Sequence, residues 1–202
     1  MAVATLMLAN LRYAMPACQS LGQQARIYEI AQRCVQKVNA KSRLLSPVVF
    51  ADQFEGNPEG FAKIAHALKM TGCTIVGCQP QKKLQGGELK ELSTVDLVMT
   101  AESIIHIFQT FSEYEFINIL LLAGEARFLP LARAILMIEG TQLFIVAAKD
   151  SLARELSETG QPIYLDDLFQ IPIDDENTVK RVRINPNIAC RIRSSQGNRD
   201  EP

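Results

Sequence analysis

Short apolar runs that alternate with longer segments of helical periodicity are the feature that most constrains this 202-residue chain. The runs Val3–Ala9, Val48–Ala51 and Phe116–Leu122 have the length and composition of buried strands. Between the runs, apolar positions recur at spacings of three and four residues, as on one face of a helix. Strands separated by helices of ten or more residues form parallel sheets through right-handed crossovers. The sequence therefore predicts a three-layer α/β/α fold with a mainly parallel central sheet.

The same periodicities predict the remaining elements, whose ends are marked by turn or capping residues. Three more strands are predicted, at Cys73–Cys78, Leu143–Ala148 and Ile163–Leu165. Four longer helices are predicted, at about Leu21–Val38, Pro58–Gly72, Thr94–Phe111 and Phe128–Glu139. The second begins after the N-cap residue Asn57. A fifth, short helix is predicted to begin at the cap residue Asp150 or Ser151 and to end at Gly160. The polar segment Gln79–Gly87 is predicted to be an exposed loop.

Two of these helices have apolar stripes that we expect to face the core. The inner stripe predicted for Thr94–Phe111 consists of Val95, Val98, Met99, Ile105 and Phe108. In the next helix, a stripe predicted to be core rather than a dimer face consists of Leu131, Ile135 and Ile138.

Composition and charge exclude several classes of protein. Apolar residues make up 48% of the chain and charged residues 21%, which excludes intrinsic disorder. The formal net charge is −1, so any binding to nucleic acid must depend on a local patch. No apolar stretch reaches the roughly 18 residues that a membrane span needs. The first ten residues lack the basic region of a signal peptide.

The five cysteines are odd in number and scattered, so a disulfide framework is not expected. This usage is typical of a protein in a reducing cytoplasm. Cys73 and Cys78 lie at the two ends of a predicted strand, and their separation of five positions places them on opposite faces. We therefore predict that they are buried structural thiols rather than a pair of metal ligands.

The organisation predicted is one folded domain over residues 1–169, followed by a polar tail over residues 170–202. The tail has a cluster of five cations without an acid between them: Lys180, Arg181, Arg183, Arg191 and Arg193. Lys82 and Lys83 add two cations in the predicted loop. Such clusters neutralise phosphate groups, although a solvated tail is the alternative interpretation.

Ligands of open α/β sheets bind at the carboxyl ends of the strands, where several polar residues of this chain are predicted to lie. Asn10 ends the first strand, and Glu125 follows the strand Phe116–Leu122. Asp96 and Glu102 lie on the predicted helix Thr94–Phe111, about 120° apart, so they face one site only if Asp96 lies in a frayed first turn. Carboxylate and amide oxygens suit Mg²⁺ or Mn²⁺. The alternatives are a first-turn acid at Asp96, a solvated Glu102 and an ordinary loop acid at Glu125.

Four segments resemble motifs of the NYN-domain family of PIN-like ribonucleases, in its LabA-like branch. They are Met7–Asn10, Phe50–Phe54, Val95–Glu102 and Ala123–Leu131, in which Gly, Phe, Pro and Leu all fall in register. The resemblance covers about Thr5 to Leu168. It implies a PIN-like fold and an acidic cluster that binds one or two divalent ions, which activate water for hydrolysis of RNA.

The chain departs from the family pattern at the expected ligands. Met7 stands where the family has the first-strand Asp, and Arg127 replaces the last Asp of the fourth motif. The thioether of Met7 is a poor ligand for a hard cation. Arg127 puts a positive charge where the metal ion would bind, and two unit charges about 4 Å apart interact by roughly 4 kcal/mol at an effective dielectric constant near 20. Glu102 and Glu125 replace aspartates.

Two interpretations follow from the resemblance and its departures. In the first, Asp96, Glu102 and Glu125 form a displaced single-ion site of a Mg²⁺- or Mn²⁺-dependent ribonuclease. In the second, which the departures favour, the nuclease site is weakened or lost and the protein binds RNA. Asn10, Arg127, Lys82 and Lys83 would then contact the substrate. Arg127 would pair with Glu125 or Glu102, or contact a phosphate directly. A non-catalytic module that binds a second copy or another protein is the alternative.

Overall fold

The computed structural model describes residues 2–20, 27–53, 58–85 and 88–169. The chain separates into two compact units, Met1–Ile171 and Pro172–Pro202. The second unit lies outside the described residues, as do the five tail cations and the predicted N-cap Asn57. The predicted domain boundary at residue 169 and the role of the tail therefore stay predictions.

The central sheet is parallel and lies between two layers of helices. Its strands are β1 (Val3–Asn10), β2 (Arg43–Leu44), β3 (Val48–Asp52), β4 (Thr74–Cys78), β7 (Phe116–Leu122), β8 (Thr141–Ala147) and β9 (Gln161–Tyr164). The other strands, β5 (Gln81–Gln85) and β6 (Glu88–Leu92), form a separate antiparallel hairpin. The helices are α1 (Leu11–Ser20), α2 (Ile27–Asn39), α3 (Pro58–Met70), α4 (Val95–Thr110), α5 (Leu129–Leu136), α6 (Arg154–Thr159) and α7 (Leu165–Leu168). The three-layer α/β/α prediction is confirmed.

The order of the parallel strands across the sheet is β4-β3-β1-β7-β8-β9, with the short β2 beside the first half of β1. After β1 the chain winds outward through β3 and β4, then crosses back to β7 and winds outward on the other side. The winding therefore changes direction between β1 and β7, which are neighbours in the sheet. The helices that follow these two strands, α1 and α5, lie on opposite faces of the sheet. Open α/β sheets bind ligands at this kind of position.

Alternating side chains of the strands build one core on each face of the sheet. The face covered by α1 and α2, here called the α1 face, buries Met7, Ala9, Val49 and Leu120. The opposite α4 face buries a second set, which includes Leu8, Phe50, Leu121 and Ile145. Strands that are apolar on both faces are typical of a parallel sheet covered by helices on both sides.

The two cysteines of the third predicted strand lie as expected. Cys73 packs in the core of the α1 face and Cys78 in the core of the α4 face, and both are buried. Cys34 is also buried, and all three are free thiols. The stripe of α5 is confirmed as core, because Leu131 and Ile135 are buried against the sheet.

Two predictions of local structure are wrong, and one helix was missed. Gln79–Gly87 is not a loop, because Gln81–Gln85 pairs with Glu88–Leu92 as an antiparallel hairpin whose cross-strand hydrogen bonds need no apolar pattern. Helix α1 was not predicted, since it follows β1 without a turn residue. The N-cap of α6 is Ala153 rather than Asp150 or Ser151.

The inner stripe of α4 differs from the prediction in its second half. The buried residues are Val95, Met99, Ser103 and Ile107, at a constant spacing of four. The predicted Ile105 and Phe108 are exposed instead. A polar residue, Ser103, occupies the core position, and so the apolar pattern alone misplaced the buried face.

Candidate functional site

The carboxyl ends of the parallel strands form one rim of the sheet, here called the carboxyl rim. Asn10 is the last residue of β1, Asp52 the last of β3 and Cys78 the last of β4. Gly124 and Glu125 follow β7 on the other side of β1. The topology therefore gathers an amide and two carboxylates from separate stretches of the chain at one edge.

Side chains at the carboxyl rim alternate between the two faces in step with the strands. Asn10 continues the alternation of Leu6 and Leu8, which face α4, and Asp52 continues that of Val48 and Phe50. Asn10 and Asp52 therefore lie on the α4 face. Met7, which the family alignment places at a metal-ligating Asp, is fully buried in the core of the α1 face. That position therefore does not lie at the rim.

Asn10 joins β1 to α1 through its side chain. Its Oδ1 accepts a hydrogen bond of 3.1 Å from the backbone N–H of Arg12, at the start of the helix. This bond satisfies one of the N–H groups that the first turn of a helix leaves without an intrahelical partner. It also fixes the orientation of the amide, since Nδ2 must then point away from Arg12.

Asp52 pairs with Cys78, a buried thiol, in the register of β3 and β4. Burial, followed by the negative charge of Asp52, raises the pKa of the Cys78 thiol to about 11, and Glu102 adds a smaller effect of the same sign. A backbone hydrogen bond from Ala51 acts in the opposite direction. The charges of Asp52 and Glu102 therefore both disfavour the thiolate of Cys78.

Glu125 and Arg127 form an ion pair directly after β7. Nε of Arg127 contacts Oε2 of Glu125, and the guanidinium lies 5.1 Å from the centroid of the Phe128 ring. The two side chains are 30% and 46% exposed, so the pair lies at the surface of the rim. Arg127 is thus paired with one of the two acids that the sequence named for it.

The structure does not bring Asp96, Glu102 and Glu125 together as a metal centre. In the parts of the chain that are described, no three His, Cys, Asp or Glu side chains lie close enough to hold a metal ion. Asp96 lies in the first turn of α4, where the helix dipole favours an acid. The charge of Glu125 is balanced by Arg127. Binding of Mg²⁺ or Mn²⁺ by these residues stays a prediction.

The predicted substrate-binding lysines lie on the hairpin rather than in a loop. Lys82 and Lys83 belong to β5 and are exposed. The register places Lys83 directly opposite Lys90 of β6, and Lys82 opposite Glu91. Like charges that face each other across a hairpin are destabilising, so the Lys83–Lys90 pair favours an anionic neighbour.

Two residues that sequence analysis missed complete the carboxyl rim. The Tyr13 hydroxyl hydrogen-bonds Oγ of Ser151 at 2.5 Å and accepts a bond of 3.0 Å from the Ala148 N–H. Arg12 is exposed beside Asn10, at the start of α1. No sequence motif marks either residue. To place them at the rim from the sequence, one would have had to predict that α1 follows β1 directly.

This arrangement defines the class of protein: a doubly wound α/β protein whose polar rim lies at the carboxyl ends of parallel strands. None of the helices among the described residues is long and apolar enough to cross a membrane.

Comparison with known proteins supports the fold. A crystal structure of a protein of unknown function, VPA0982, from Vibrio parahaemolyticus is similar at a TM-score of 0.56 and 13% identity, over 82% of this chain and 94% of that one. MurG of Acinetobacter baumannii gives a TM-score of 0.40 at 13% identity, over 82% of this chain and 43% of MurG. No family model matches the chain, and no curated protein matches it in sequence. The resemblance to the NYN-domain family stays a prediction.

Proposed function

We propose that the protein binds RNA at the carboxyl rim, and that the metal-dependent cleavage implied by its resemblance to NYN-domain ribonucleases is weakened or lost. The observation that carries this proposal is the Arg127 guanidinium, held between Glu125 and the Phe128 ring at the carboxyl end of a central strand. A cation in this position attracts phosphate and repels a divalent metal ion.

The ion pair leaves Arg127 available to a phosphate. Surface ion pairs contribute about 0–1 kcal/mol, because water and salt screen them. A guanidinium presents five N–H donors in a planar fork, so one edge can contact Glu125 while another donates to phosphate oxygens. Glu125 then positions the guanidinium rather than holding a metal ion.

Exposed cations beside the rim extend the proposed RNA surface. Lys82 and Lys83 lie on the hairpin that leads from β4 to α4, and Arg12 begins α1 next to Asn10. The chain has a net charge near zero, so this local clustering supplies the phosphate contacts. The buried free thiols Cys34, Cys73 and Cys78 support a cytoplasmic location.

The test is binding of a single-stranded RNA 12-mer of mixed sequence, followed by fluorescence anisotropy at 50 mM and 150 mM salt. We expect saturable binding that weakens with salt, and a loss of about tenfold for Arg127→Ala, equivalent to about 1.4 kcal/mol. Arg43→Ala is the control, because Arg43 is also an arginine but is exposed on β2, beside the first half of β1 and away from the carboxyl rim.

Two results would contradict the proposal. The first is no saturable binding of RNA at 50 mM salt, and the second is equal weakening by Arg127→Ala and Arg43→Ala. Cleavage of the same RNA that requires Mn²⁺ and is abolished by Glu102→Ala would instead restore the enzyme interpretation.

The second candidate, a protein-interaction module, is favoured by the outer surface of α4. Leu97, Ile105 and Phe108 are 63%, 49% and 61% exposed and, with Ala101, lie within an arc of about 80° opposite the buried stripe. An exposed apolar face opposite the buried stripe of a helix is typical of a surface that binds another protein. A second copy of the chain is the partner that we propose for this face.

Sedimentation velocity between 1 and 200 μM tests the second candidate. We expect reversible dimerisation that Phe108→Ser weakens at least fivefold and that Met137→Ser, an exposed apolar residue after α5, leaves unchanged. A monomer across the whole concentration range would rule out the second copy as the partner.

A further inference from the structure

Three buried polar atoms at the carboxyl rim have no hydrogen-bond partner among the described residues: Nδ2 of Asn10, Oδ1 of Asp52 and Nε of Arg127. Nε of Arg127 has the charge of Glu125 beside it, which leaves the atoms of Asn10 and Asp52 to be explained. The first is a donor and the second an acceptor. A buried polar group that is left without a partner costs roughly 1–3 kcal/mol. Because most such groups in proteins are paired, an unpaired donor and an unpaired acceptor on neighbouring strands need an explanation.

The two atoms belong to adjacent positions of the sheet. Asn10 pairs with Phe50 in the parallel register of β1 and β3, and Asp52 lies two residues beyond Phe50. Neighbouring strands are about 4.8 Å apart and two residues of a strand rise about 6.6 Å, which separates the two Cα atoms by roughly 8 Å. Both side chains lie on the α4 face. A single small group between them can contact both.

The chemistry of the pair limits what that group can be. It must accept a hydrogen bond from an amide N–H and donate one to a carboxylate, which a hydroxyl does with one oxygen. A phosphate or a carboxylate only accepts at neutral pH, and an ammonium group only donates. Asn10 is fully buried and Asp52 partly exposed, so only a small group that enters past Asp52 reaches both atoms.

We propose that Asn10 and Asp52 bind the 2′-hydroxyl of a ribose, and so allow the protein to distinguish RNA from DNA. This inference rests on the RNA binding proposed above and names the group that the rim recognises. The 2′-hydroxyl is the one group, both donor and acceptor, that RNA has and DNA lacks. In doubly wound sheets, an acid on the strand next to the first is also the residue that hydrogen-bonds a ribose hydroxyl.

The segment after β1 shows which ribose-containing ligand fits. A dinucleotide needs a glycine-rich turn between the first strand and its helix. Here Asn10 leads directly into Leu11, Arg12 and Tyr13 of α1. The exposed Arg12 on α1 and the partly exposed Arg127 after β7 instead supply two separate cations, which suit the phosphates that flank one ribose in a strand.

The experiment compares the RNA 12-mer with DNA of the same sequence, with uracil in both. We expect the full-length protein to bind RNA about tenfold more tightly than DNA. Asp52→Ala, which removes the acceptor, and Asn10→Asp, which removes the donor, should each reduce that ratio toward one. Asn10→Asp keeps the oxygen that accepts from the Arg12 N–H, and its added negative charge weakens binding of RNA and DNA alike, which cancels in the ratio. Glu113→Ala is the control, because Glu113 is an exposed acid before β7, at the opposite edge of the sheet.

A chemically modified RNA tests the same contact with the wild-type protein, so the result does not depend on whether a variant folds. RNA with 2′-fluoro groups cannot donate to Asp52, and we expect the wild-type protein to bind it as weakly as DNA. Equal affinity for RNA, 2′-fluoro RNA and DNA overturns this inference, while an effect of Arg127→Ala on all three leaves the proposed binding of phosphates intact. An unchanged ratio of RNA to DNA affinity in the Asp52 and Asn10 variants also overturns it.

Discussion

The hydroxyl of Tyr13 on α1 lies 2.5 Å from Oγ of Ser151, a residue 138 positions later in the chain. The same hydroxyl accepts a hydrogen bond from the Ala148 N–H, just beyond β8. One side chain therefore ties the helix that follows the first strand to the turn that follows the fifth strand of the parallel order.

Replacing Tyr13 with Phe removes both of these hydrogen bonds and leaves the Ala148 N–H without its partner. We expect the free energy of unfolding to fall by about 1–3 kcal/mol, since a part-buried donor loses its acceptor. Urea unfolding followed by circular dichroism measures the change. Tyr28→Phe is the control, because no hydrogen bond within the described part of the chain involves the hydroxyl of this half-buried tyrosine. Equal stability of the two variants would show that the Tyr13 bonds contribute nothing.

Gly124 is required where the end of β7 passes close to the same tyrosine. A Cβ at this position would lie 2.5 Å from the Ser151 carbonyl oxygen and 2.7 Å from Cε2 of Tyr13. The Ser151 backbone has little freedom to move, because the Ala153 N–H donates to the Gly124 carbonyl at 2.8 Å. We expect Gly124→Ala to destabilise the protein by about 2–3 kcal/mol.

Gly77→Ala is the comparison for Gly124. Its Cβ would meet side-chain atoms of Gln53 and Phe61 at 3.0 Å, and both side chains can rotate away. We expect a cost below about 1 kcal/mol. Thermal unfolding measures the stability of both variants. If Gly77→Ala is as unstable as Gly124→Ala, crowding against the backbone is not the cause of the destabilisation.

Ile105 and Ile107 of α4 offer a matched test of which helix face is buried. Ile107 is fully buried and Ile105 is 49% exposed. We expect Ile107→Ala to lower the free energy of unfolding by about 2–5 kcal/mol, and Ile105→Ala by less than about 1 kcal/mol. Urea unfolding of the two variants provides the comparison. A larger loss for Ile105→Ala would restore the stripe predicted from the sequence.

The same helix shows how far sequence could predict this fold. Strand positions and the parallel architecture were predictable, because runs such as Phe116–Leu122 are apolar on both faces. The stripe of α4 was not, since Ser103 occupies a core position while Phe108 is exposed. When a helix has apolar residues on two faces, apolar periodicity alone does not show which of the two faces packs on the sheet.

The candidate site was predictable in part, because strand ends are visible in the sequence and their neighbours in space are not. Asn10 and Glu125 were placed at the carboxyl rim from strand ends alone. The ion pair of Arg127 with Glu125 was named as one of several alternatives. The unpaired atoms of Asn10 and Asp52 depend on the register of β1 with β3, which no local pattern encodes.

Cys34 makes the stability of the protein depend on alkaline pH. Burial raises the pKa of this thiol from 9.0 to about 12, against a small opposite effect of Lys37. A group whose pKa is higher in the folded state contributes stability that is complete below pH 9 and is lost between pH 9 and about 12. At pH 10 the thiol is largely ionised in the unfolded chain alone, which removes about 1.4 kcal/mol of stability.

Urea unfolding at pH 8 and pH 10 tests this contribution. We expect the loss between the two pH values to be about 1 kcal/mol smaller in Cys34→Ala than in the wild-type protein. Val35→Ala is the control, because it removes buried apolar volume one position away and leaves the thiol in place. It should lower stability equally at both pH values and keep the wild-type loss. If Cys34→Ala keeps that loss too, the alkaline sensitivity arises from other groups, and the Cys34 thiol is ionised as readily in the folded protein as in the unfolded chain.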